Sequence, residues 1–333
     1  MNIAIVRLSS LGDIIFCMAS LQIIKRRFPE SSITWVADRK FADILDHNPD
    51  LDKIVKLDLK GLKKGFSVGR LRAEYGKISD LEKFDIAIDL HGMMKSAFIA
   101  RKIGKVATGY HRKVVKEPLA ALMYDLRFDI PFEQHVVSRY ASLVAQSLGF
   151  SFTDAELTEK RPFLHYQKDD LQVSASYFKN NRKNIIFIPE TSLAYKNYPK
   201  EKFIELANRL GENILICHGN ELERQTAEYM AERSPNVSIL PRMNLNQLKA
   251  AISRADLVIG GDTGPAHMAW ANNIPSIIIF GATTPHCVHT TATNIAIKSS
   301  SRANPRRPDK NDLSIQEIEE SLILRHAEEL LQR

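Results

Sequence analysis

The sequence has few cysteines and no long apolar run, and each shortage excludes a class of protein. The three cysteines are Cys17, Cys217 and Cys287, and their wide spacing argues against a disulfide framework or a structural zinc site. No apolar run reaches the roughly 18 residues that a membrane-spanning helix needs. The apolar segment 2–6 ends at Arg7, which is too short for the core of a signal peptide. We therefore expect a cytoplasmic protein without disulfides.

Common nucleotide-binding and metal-binding signatures are also missing. The loop at 8–13 reads LSSLGD and has neither the G-x-G-x-x-G of dinucleotide folds nor the GK[ST] of P-loop enzymes. This disfavours NAD chemistry and ATP hydrolysis. Residues 286–289, HCVH, offer ligand types without a second cluster, and no D-x-D stands at a strand end with a clear role. The sequence therefore requires no metal and indicates no cofactor.

The charge of the chain is modestly positive. The formal net charge of +7 suits anionic partners such as nucleotides, phosphorylated substrates or an anionic membrane surface. The basic residues are scattered and lack aromatic partners in a recognisable module, so we do not expect nucleic-acid binding. An apolar content of 44% and a charged content of 26% are typical of a folded globular protein.

Short β-branched segments alternate with longer amphipathic ones along most of the chain. Strand-like segments fall at 3–6, 33–36, 54–57 and 85–90, and later at 185–188, 214–217, 237–240, 257–259 and 276–280. Helical patterns fall at 14–28, 40–46, 93–102 and 136–148, and later at 200–210, 221–233, 245–254, 265–272 and 314–331. This alternation predicts parallel sheets with helices on both faces, an α/β fold.

The alternation weakens between 151 and 183, where polar residues dominate. A chain of 333 residues is longer than one hydrophobic core usually serves. We therefore expect two doubly wound, Rossmann-like domains at 1–165 and 166–315, with a last helix at 314–333 that packs back on the first. Two such domains place a cleft between them, and ligands bind beyond the carboxyl ends of the strands.

The segment GGDTGPAH at 260–267 follows a predicted strand in the second half. Its glycines fit a backbone turned tightly around an anion, Thr263 suits a helix N-cap, and Pro265 suits the first helical turn. Free N–H groups at that helix start favour a phosphate, and His267 adds a donor one turn later. The alternative is an ordinary glycine-rich turn between a strand and a helix.

The loop after the first strand carries a carboxylate next to a glycine. Gly12 permits a tight turn and close approach of a ligand to the backbone. Asp13 lies near the start of the next helix, where a carboxylate serves either as a helix cap or as a general base facing the cleft.

Two further strand ends carry polar side chains in the second half. In PETSLAYKNYP at 189–199, Lys196 suits a phosphate and Thr191 and Ser192 suit hydrogen bonds to a ligand; a solvated lysine is the alternative.

In HGNELE at 218–223, a carboxylate suits ribose hydroxyls, and a surface acid in the first helical turn is the alternative. Local reasoning does not separate Glu221 from Glu223.

In this order, these segments resemble the ADP-heptose:lipopolysaccharide heptosyltransferases, glycosyltransferase family 9, and most closely the members that add the first heptose to inner-core Kdo. The segments most specific to the family are SSLGD at 9–13, KEPLA at 116–120, Lys196 before the Tyr-Pro pair at 198–199, and DTG at 262–264 with His267. The resemblance implies a GT-B fold with two facing Rossmann-like domains and an interdomain cleft. It implies inverting transfer of L-glycero-D-manno-heptose from ADP-heptose to the Kdo of Kdo-lipid A. There are two alternatives. One is a family member that acts on a later core acceptor, such as heptosyltransferase II, and the other is a non-enzymatic two-domain ligand-binding protein.

The resemblance also implies roles for individual residues. Asp13 matches the catalytic base, and Lys196 matches a lysine that stabilises the departing diphosphate. Glu223, rather than Glu221, matches the carboxylate on the adenosine ribose, and Met243 matches a residue of the adenine pocket. The full donor set is Thr191, Ser192, Lys196, Glu223, Met243, Asp262, Thr263, Gly264 and His267. The chain departs from its relatives at 189–190, where Pro-Glu replaces His-Ala or similar residues.

The acceptor side matches less of the family pattern. The residues that correspond to it are Ser10, Gly12, Lys60, Lys63, Lys64, His135 and Arg139. A membrane-anchored acceptor implies work at the cytoplasmic face of the inner membrane without spanning it. The basic residues that suit such a surface are Lys60, Lys63, Lys64, Arg70 and Arg72, or else Arg302, Arg306 and Arg307.

Overall fold

The chain divides into two compact units, Met1–Phe163 and Leu164–Arg333. In this computed structural model, residues 1–59, 61, 67–285, 290–302, 304 and 308–332 are described. Within those residues each unit contains a six-stranded sheet, and all of its strand pairs are parallel. The expected α/β class with two doubly wound units is confirmed.

The sheet of the first unit has the strand order β3-β2-β1-β4-β5-β6. Its strands are β1 (Asn2–Val6), β2 (Ser32–Asp38), β3 (Lys53–Leu57), β4 (Phe84–Asp89), β5 (Gly104–Tyr110) and β6 (Leu126–Phe128). Its helices are α1 (Leu11–Arg27), α2 (Arg39–Ala42), α3 (Val68–Ser79), α4 (Met94–Ile103), α5 (Val136–Leu148) and α6 (Asp154–Thr158). Strand β1 is a nearly continuous apolar run, which is typical of a parallel sheet with helices on both faces.

Connections leave the first sheet in opposite directions from β1 and β4, which are neighbours. The chain runs from β1 outward to β3, and from β4 outward to β6. This reversal leaves a crevice at the carboxyl ends of the two strands, where doubly wound sheets bind ligands. The loop that follows β1 begins α1 at this crevice. Helix α5 packs against α1 and places its own side chains beside the same loop.

The sheet of the second unit has the order β12-β11-β10-β7-β8-β9. Its strands are β7 (Asn184–Ile188), β8 (Asn213–Ile216), β9 (Val237–Ile239), β10 (Leu257–Gly261), β11 (Ser276–Phe280) and β12 (Asn294–Lys298). Its helices are α7 (Lys200–Leu210), α8 (Glu221–Ala231), α9 (Leu245–Ile252), α10 (Gly264–Ala271) and α11 (Glu320–Leu331). The corresponding reversal lies between β7 and β10, so the loops after these two strands meet at one crevice.

The last helix occupies a different place from the one expected. We expected 314–333 to pack on the first half of the chain. A 3-10 turn at Ser314–Glu317 precedes α11, and α11 packs against α7 in the second unit. Its side chains Ile323, Ala327 and Leu330 belong to the core of that unit. These apolar residues recur at helical spacing, so one face of the helix is buried there.

The periodicity of the sequence did not predict β5, β6, β12 or α3. Strand β5 reads GKVATGY, and its glycines and small residues give little β-branched signal.

Among the residues that the structure describes, no helix is both long and apolar enough to cross a lipid bilayer.

Candidate functional site

Asp13 lies in the first turn of α1 and accepts several hydrogen bonds. Its Oδ2 accepts from the hydroxyl of Ser10 at 2.7 Å and from the backbone N–H of Ser10 at 3.2 Å. The side chain therefore caps the start of the helix, as one of the two sequence interpretations proposed. About a third of its surface is still exposed, 32%, so the same carboxylate remains accessible to a ligand.

A buried arginine and a tyrosine hold the other sides of the Asp13 carboxylate. Arg7 Nη2 lies 2.7 Å from Asp13 Oδ2, and Arg7 Nη1 donates to the carbonyl oxygen of Leu90 at 2.6 Å. The hydroxyl of Tyr140 on α5 donates to Asp13 Oδ1 at 2.8 Å. The residue that follows β1 and a residue of helix α5 thus meet at one carboxylate, and the loop after β4 holds Arg7 in place.

This arrangement keeps Asp13 ionised. Burial favours the neutral carboxyl, but the Arg7 guanidinium and the hydrogen bonds from Ser10 and Tyr140 outweigh burial and lower the pKa of Asp13 to about 2. At neutral pH the group is a carboxylate that can accept a proton but not donate one. In the described contacts Oδ1 has one partner and Oδ2 has three, so a ligand hydroxyl has room at Oδ1.

Asp13 opens into a cavity of about 390 Å³ in the first unit. Three residues predicted for this side, Ser10, Asp13 and Arg139, line it. Arg139 lies with its guanidinium 4.3 Å from the ring centre of Tyr110 and donates through Nη2 to the carbonyl oxygen of Val114 at 2.9 Å. These contacts fix a cation in the wall of the cavity that Asp13 also lines.

The other predicted acceptor residues lie elsewhere or outside the described residues. Gly12 is buried inside α1, and His135 is the N-cap of α5, where its side chain accepts from the N–H of Val137. Neither is among the described residues that line the cavity. Lys60, Lys63 and Lys64 lie outside the residues that the structure describes.

The cavity residues that the sequence interpretation missed include Arg7, Tyr140 and His91. A charged residue at the carboxyl end of β1 was a usable signal for Arg7, whereas nothing local marked Tyr140. Burial, together with the charge of Arg7, lowers the pKa of His91 to about 3, so its imidazole is neutral at the cavity wall.

The second unit holds a compact ionic cluster at the start of α10. Lys196 Nζ lies 2.6 Å from Asp262 Oδ2, and His267 Nε2 lies 3.1 Å from Asp262 Oδ1. Burial opposes ionisation of Asp262, but the hydrogen bond from His267 and the charge of Lys196 hold the pKa of Asp262 below its ordinary value. The carboxylate thereby fixes the lysine next to the helix start, where N–H groups favour an anion.

The glycines before this cluster serve packing between strands and loops. A Cβ on Gly260 would lie 2.8 Å from the carbonyl oxygen of Ile188, and one on Gly261 would lie 2.8 Å from Thr191 Cγ2. These positions therefore let β10 and the loop after β7 approach closely. That the same turn also surrounds an anion stays a prediction.

A cavity of about 250 Å³ lies at the same crevice. Of the residues predicted to bind the donor, five line it: Thr191, Ser192, Glu223, Met243 and Thr263. They come from the segments after β7, β8, β9 and β10, with Glu223 in the first turn of α8, and the strand order brings these segments together. The ionic cluster continues this wall, since Asp262 directly precedes Thr263 and Gly264 begins α10.

The structure separates the two glutamates that the sequence left unresolved. Glu223 accepts from the backbone N–H of Gly219 at 2.6 Å and lines the cavity. Glu221 instead pairs with Arg224 at 2.6 Å. Glu190, which departs from the pattern of its relatives, also lines the cavity and accepts from the hydroxyl of Thr226 at 2.9 Å.

The described residues contain no group of three or more His, Cys, Asp or Glu side chains placed to hold a metal ion. The HCVH segment at 286–289 lies outside that part of the chain.

Comparisons with known proteins point to one family of glycosyltransferases. The family model of glycosyltransferase family 9 (heptosyltransferase) matches residues 79–318. The chain is 32% identical, over 99% of both lengths, to lipopolysaccharide heptosyltransferase 1 of Campylobacter coli. It is 27% identical to the protein of that name from Escherichia coli strain K12, over 86% of this chain and 89% of the relative.

Solved structures share the fold. The structure of E. coli heptosyltransferase WaaC with ADP is similar with a TM-score of 0.82 at 23% identity, covering 99% of this chain and all of the other, 100%. E. coli heptosyltransferase II gives a TM-score of 0.76 at 18% identity, covering 100% of this chain and 99% of the other. The two Rossmann-like units are those of the GT-B class. The family match covers more than half of the chain, and the chain therefore belongs to glycosyltransferase family 9, the heptosyltransferases.

Proposed function

We propose that this glycosyltransferase transfers L-glycero-D-manno-heptose from ADP-heptose to the Kdo of Kdo-lipid A, inverting the anomeric centre. The single observation that carries the proposal is the wall at the β7–β10 crevice, where Glu223, Met243 and Thr263 line one cavity beside the cation of Lys196. The names of the relatives from Campylobacter coli and E. coli support the sugar and the lipid acceptor. Family membership favours this enzymatic interpretation over a two-domain binding protein.

In this proposal the cavity of the second unit holds the nucleoside of the donor. Glu223 accepts from the ribose hydroxyls, and Met243 contacts the adenine. The diphosphate lies at the start of α10, where free N–H groups and the hydroxyl of Thr263 donate to it. Lys196, held by Asp262 at 2.6 Å, stabilises the negative charge that develops on the departing diphosphate. Fixed donors of this kind are often the largest catalytic contribution.

Asp13 is the general base of the proposed reaction. The acceptor hydroxyl donates to Oδ1, attacks C1 of the heptose and loses its proton to the carboxylate while the C1–O bond to the diphosphate breaks. A pKa of about 2 makes the resting carboxylate a weak base. The hydroxyl becomes acidic only as its new bond to carbon forms, so the proton moves late in this displacement. One displacement inverts the configuration.

The proposed acceptor places the enzyme at the cytoplasmic face of the inner membrane as a peripheral protein. Kdo-lipid A carries its acyl chains in the bilayer, so the sugar is reached from the membrane surface. The proposed reaction uses no metal or other cofactor, because Lys196 and the α10 N–H groups supply the positive charge that stabilises the departing diphosphate. Activity that persists after treatment with EDTA is the expected result.

The test is incubation of the protein with ADP-heptose and Kdo-lipid A, followed by mass spectrometry of the lipid. A mass gain of one heptose is expected from the wild type and a loss of about 10²-fold or more in rate from Asp13→Asn. Asp129 is exposed, and Asp129→Asn is the matched control with unchanged rate. Product only from a later core acceptor would identify the alternative member, and full turnover by Asp13→Asn would remove the base role.

A further inference from the structure

Large apolar side chains are exposed mostly in one part of the first unit. Among the described residues, eleven large hydrophobic side chains are strongly exposed, and seven of them lie between 68 and 126: Val68, Leu71, Tyr75, Phe98, Leu119, Leu122 and Leu126. Scattered single exposures are ordinary, whereas a local concentration marks an interaction surface.

Helix α3 carries an apolar stripe that, among the described residues, is buried only at one end. Val68, Leu71, Tyr75 and Ile78 recur at helical spacing and share one face. Their exposure falls along the helix from 72% to 46%, 40% and 6%. Of the twelve residues of α3, all of them described, Ile78 alone is buried. The stripe is therefore anchored on the sheet at its carboxyl end and uncovered at its amino end.

The neighbouring helix α4 extends this apolar surface. The rings of Tyr75 and Phe98 lie 6.4 Å apart between their centres, and Phe98 is 47% exposed. Beyond α4, the 3-10 turn Pro118–Met123 turns its alanines inward and its leucines outward. Leu119 and Leu122 are 64% and 72% exposed. They share a face because residues three apart eclipse in a 3-10 helix.

On helices α3 and α4 the charges are almost all of one sign, and Asp125 beyond them pairs with Arg101 at 2.6 Å. Helices α3 and α4 carry six basic residues and one acidic residue, which are Arg70, Arg72, Lys77, Lys95, Arg101, Lys102 and Glu74. Within the described residues no ion pair is formed by Arg70, Arg72 or Lys95. An isologous pair of such faces in a dimer would oppose like charges. An anionic lipid surface instead complements the cations and accepts the apolar side chains.

We propose that the outer faces of α3 and α4, with the adjoining 3-10 turn, form the membrane-docking surface of this protein, with Val68, Leu71 and Phe98 entering an anionic lipid interface. This inference rests on the proposed function for the reason why the protein would bind a membrane, since an enzyme with a lipid acceptor must work at the bilayer. The same unit holds the Asp13 cavity, and Lys116 at that cavity lies two residues before the 3-10 turn. Docking here brings the acceptor side of the enzyme to the membrane.

Vesicle flotation of the full chain, without donor or acceptor, tests the surface. We expect binding to phosphatidylcholine vesicles that contain phosphatidylglycerol, and little binding to phosphatidylcholine alone. Arg70→Gln with Arg72→Gln should weaken binding about 25-fold, since each charge near an anionic surface contributes about fivefold. Lys168 and Lys179 are exposed in the second unit, and Lys168→Gln with Lys179→Gln is the charge-matched control that should bind normally.

The apolar contribution needs its own variants. Val68→Gln with Leu71→Gln should weaken binding about tenfold or more at unchanged charge, whereas Leu313→Gln, at a leucine 56% exposed in the second unit, should not. A Leu71→Trp variant gives a direct signal, because the two native tryptophans are buried. Its emission should shift to the blue on anionic vesicles as the new indole leaves water.

The possible results separate this inference from the proposed function. Three results would each overturn the docking surface, even with heptose transfer intact. They are equal vesicle binding by every variant, no binding of the wild type to anionic vesicles, and an unshifted emission spectrum of the Leu71→Trp variant. A dimer that Val68→Gln with Leu71→Gln converts to a monomer, without vesicle binding, would identify a second copy as the occupant and overturn it likewise. The wild type could bind vesicles, and the predicted variants could lose that binding, while the wild type transfers no heptose. That combination would support the docking surface and refute only the proposed function.

Discussion

The ion pair between Arg7 and Asp13 sets the basicity of the carboxylate that we propose as the general base. Replacing Arg7 with Gln removes a charge whose Nη2 lies 2.7 Å from Asp13 Oδ2. For charge centres about 4 Å apart and an effective dielectric constant of about 20, the lost attraction is about 4 kcal/mol. Since about 1.4 kcal/mol corresponds to one pKa unit, the pKa of Asp13 should rise from about 2 by about three units.

The assay is the pH dependence of kcat/KM, measured by release of ADP. Asp13 accepts a proton only when it is ionised, and a raised pKa means that ionisation is lost as the pH falls through the new value. The Arg7→Gln enzyme should therefore lose activity below about pH 5, by about tenfold for each further pH unit. In the wild type the limb set by Asp13 lies near its pKa of about 2, below the range of the assay.

Arg7→Lys is the matched control, because it keeps a positive charge at the same place and should keep the limb near its wild-type position. Thermal melting at each pH separates loss of ionisation from loss of folding. A folded Arg7→Gln enzyme without an inflection between about pH 4 and pH 6 would refute the electrostatic reasoning. The same inflection in Arg7→Lys would refute it as well.

Three further predictions concern the second unit. Lys196→Ala should lower kcat by about 10²-fold or more, because it removes a fixed cation from the departing diphosphate; a loss confined to KM would contradict this role. Glu223→Gln should weaken ADP binding by about tenfold in calorimetry, whereas Glu221→Gln should bind normally, and equal losses would exclude Glu223 as the specific contact. Gly261→Ala should destabilise the fold by about 1–3 kcal/mol, since the new Cβ would lie 2.9 Å from the carbonyl oxygen of Lys196. Gly69→Ala, whose Cβ meets nothing nearer than 3.7 Å, is the control for denaturant unfolding and should not destabilise.

Much of the fold was predictable because it depends on local periodicity. The predicted bounds of α5, α7 and β11 agree with the structure, since their apolar residues recur at a helical period or form an uninterrupted β-branched run. Helix α3 escaped prediction, because two glycines and four charged residues stand between its apolar positions.

Five of the residues predicted for the donor line one cavity, and two of those predicted for the acceptor, Ser10 and Arg139, line another. Thr191 and Thr263 lie in segments that directly follow a strand, and in a parallel sheet such segments meet at one edge. Glu223, in the first turn of α8, was distinguished from Glu221 only by the resemblance. The network around Asp13 gave no comparable signal, because Tyr140 reaches it from a helix 127 residues away. No spacing rule connects those two positions.

By itself, the sequence determined the α/β class, the strand-and-helix alternation and the residue types that follow each strand. Spacing along the chain encodes these features, because periods of two and 3.6 residues decide which face of an element is apolar. The tertiary structure alone decided which charges meet, Asp13 with Arg7 and Asp262 with Lys196, and that the Tyr140 hydroxyl donates to Asp13. Electrostatic energies depend on separations of a few ångströms, and the order of strands and the packing of helices set those separations.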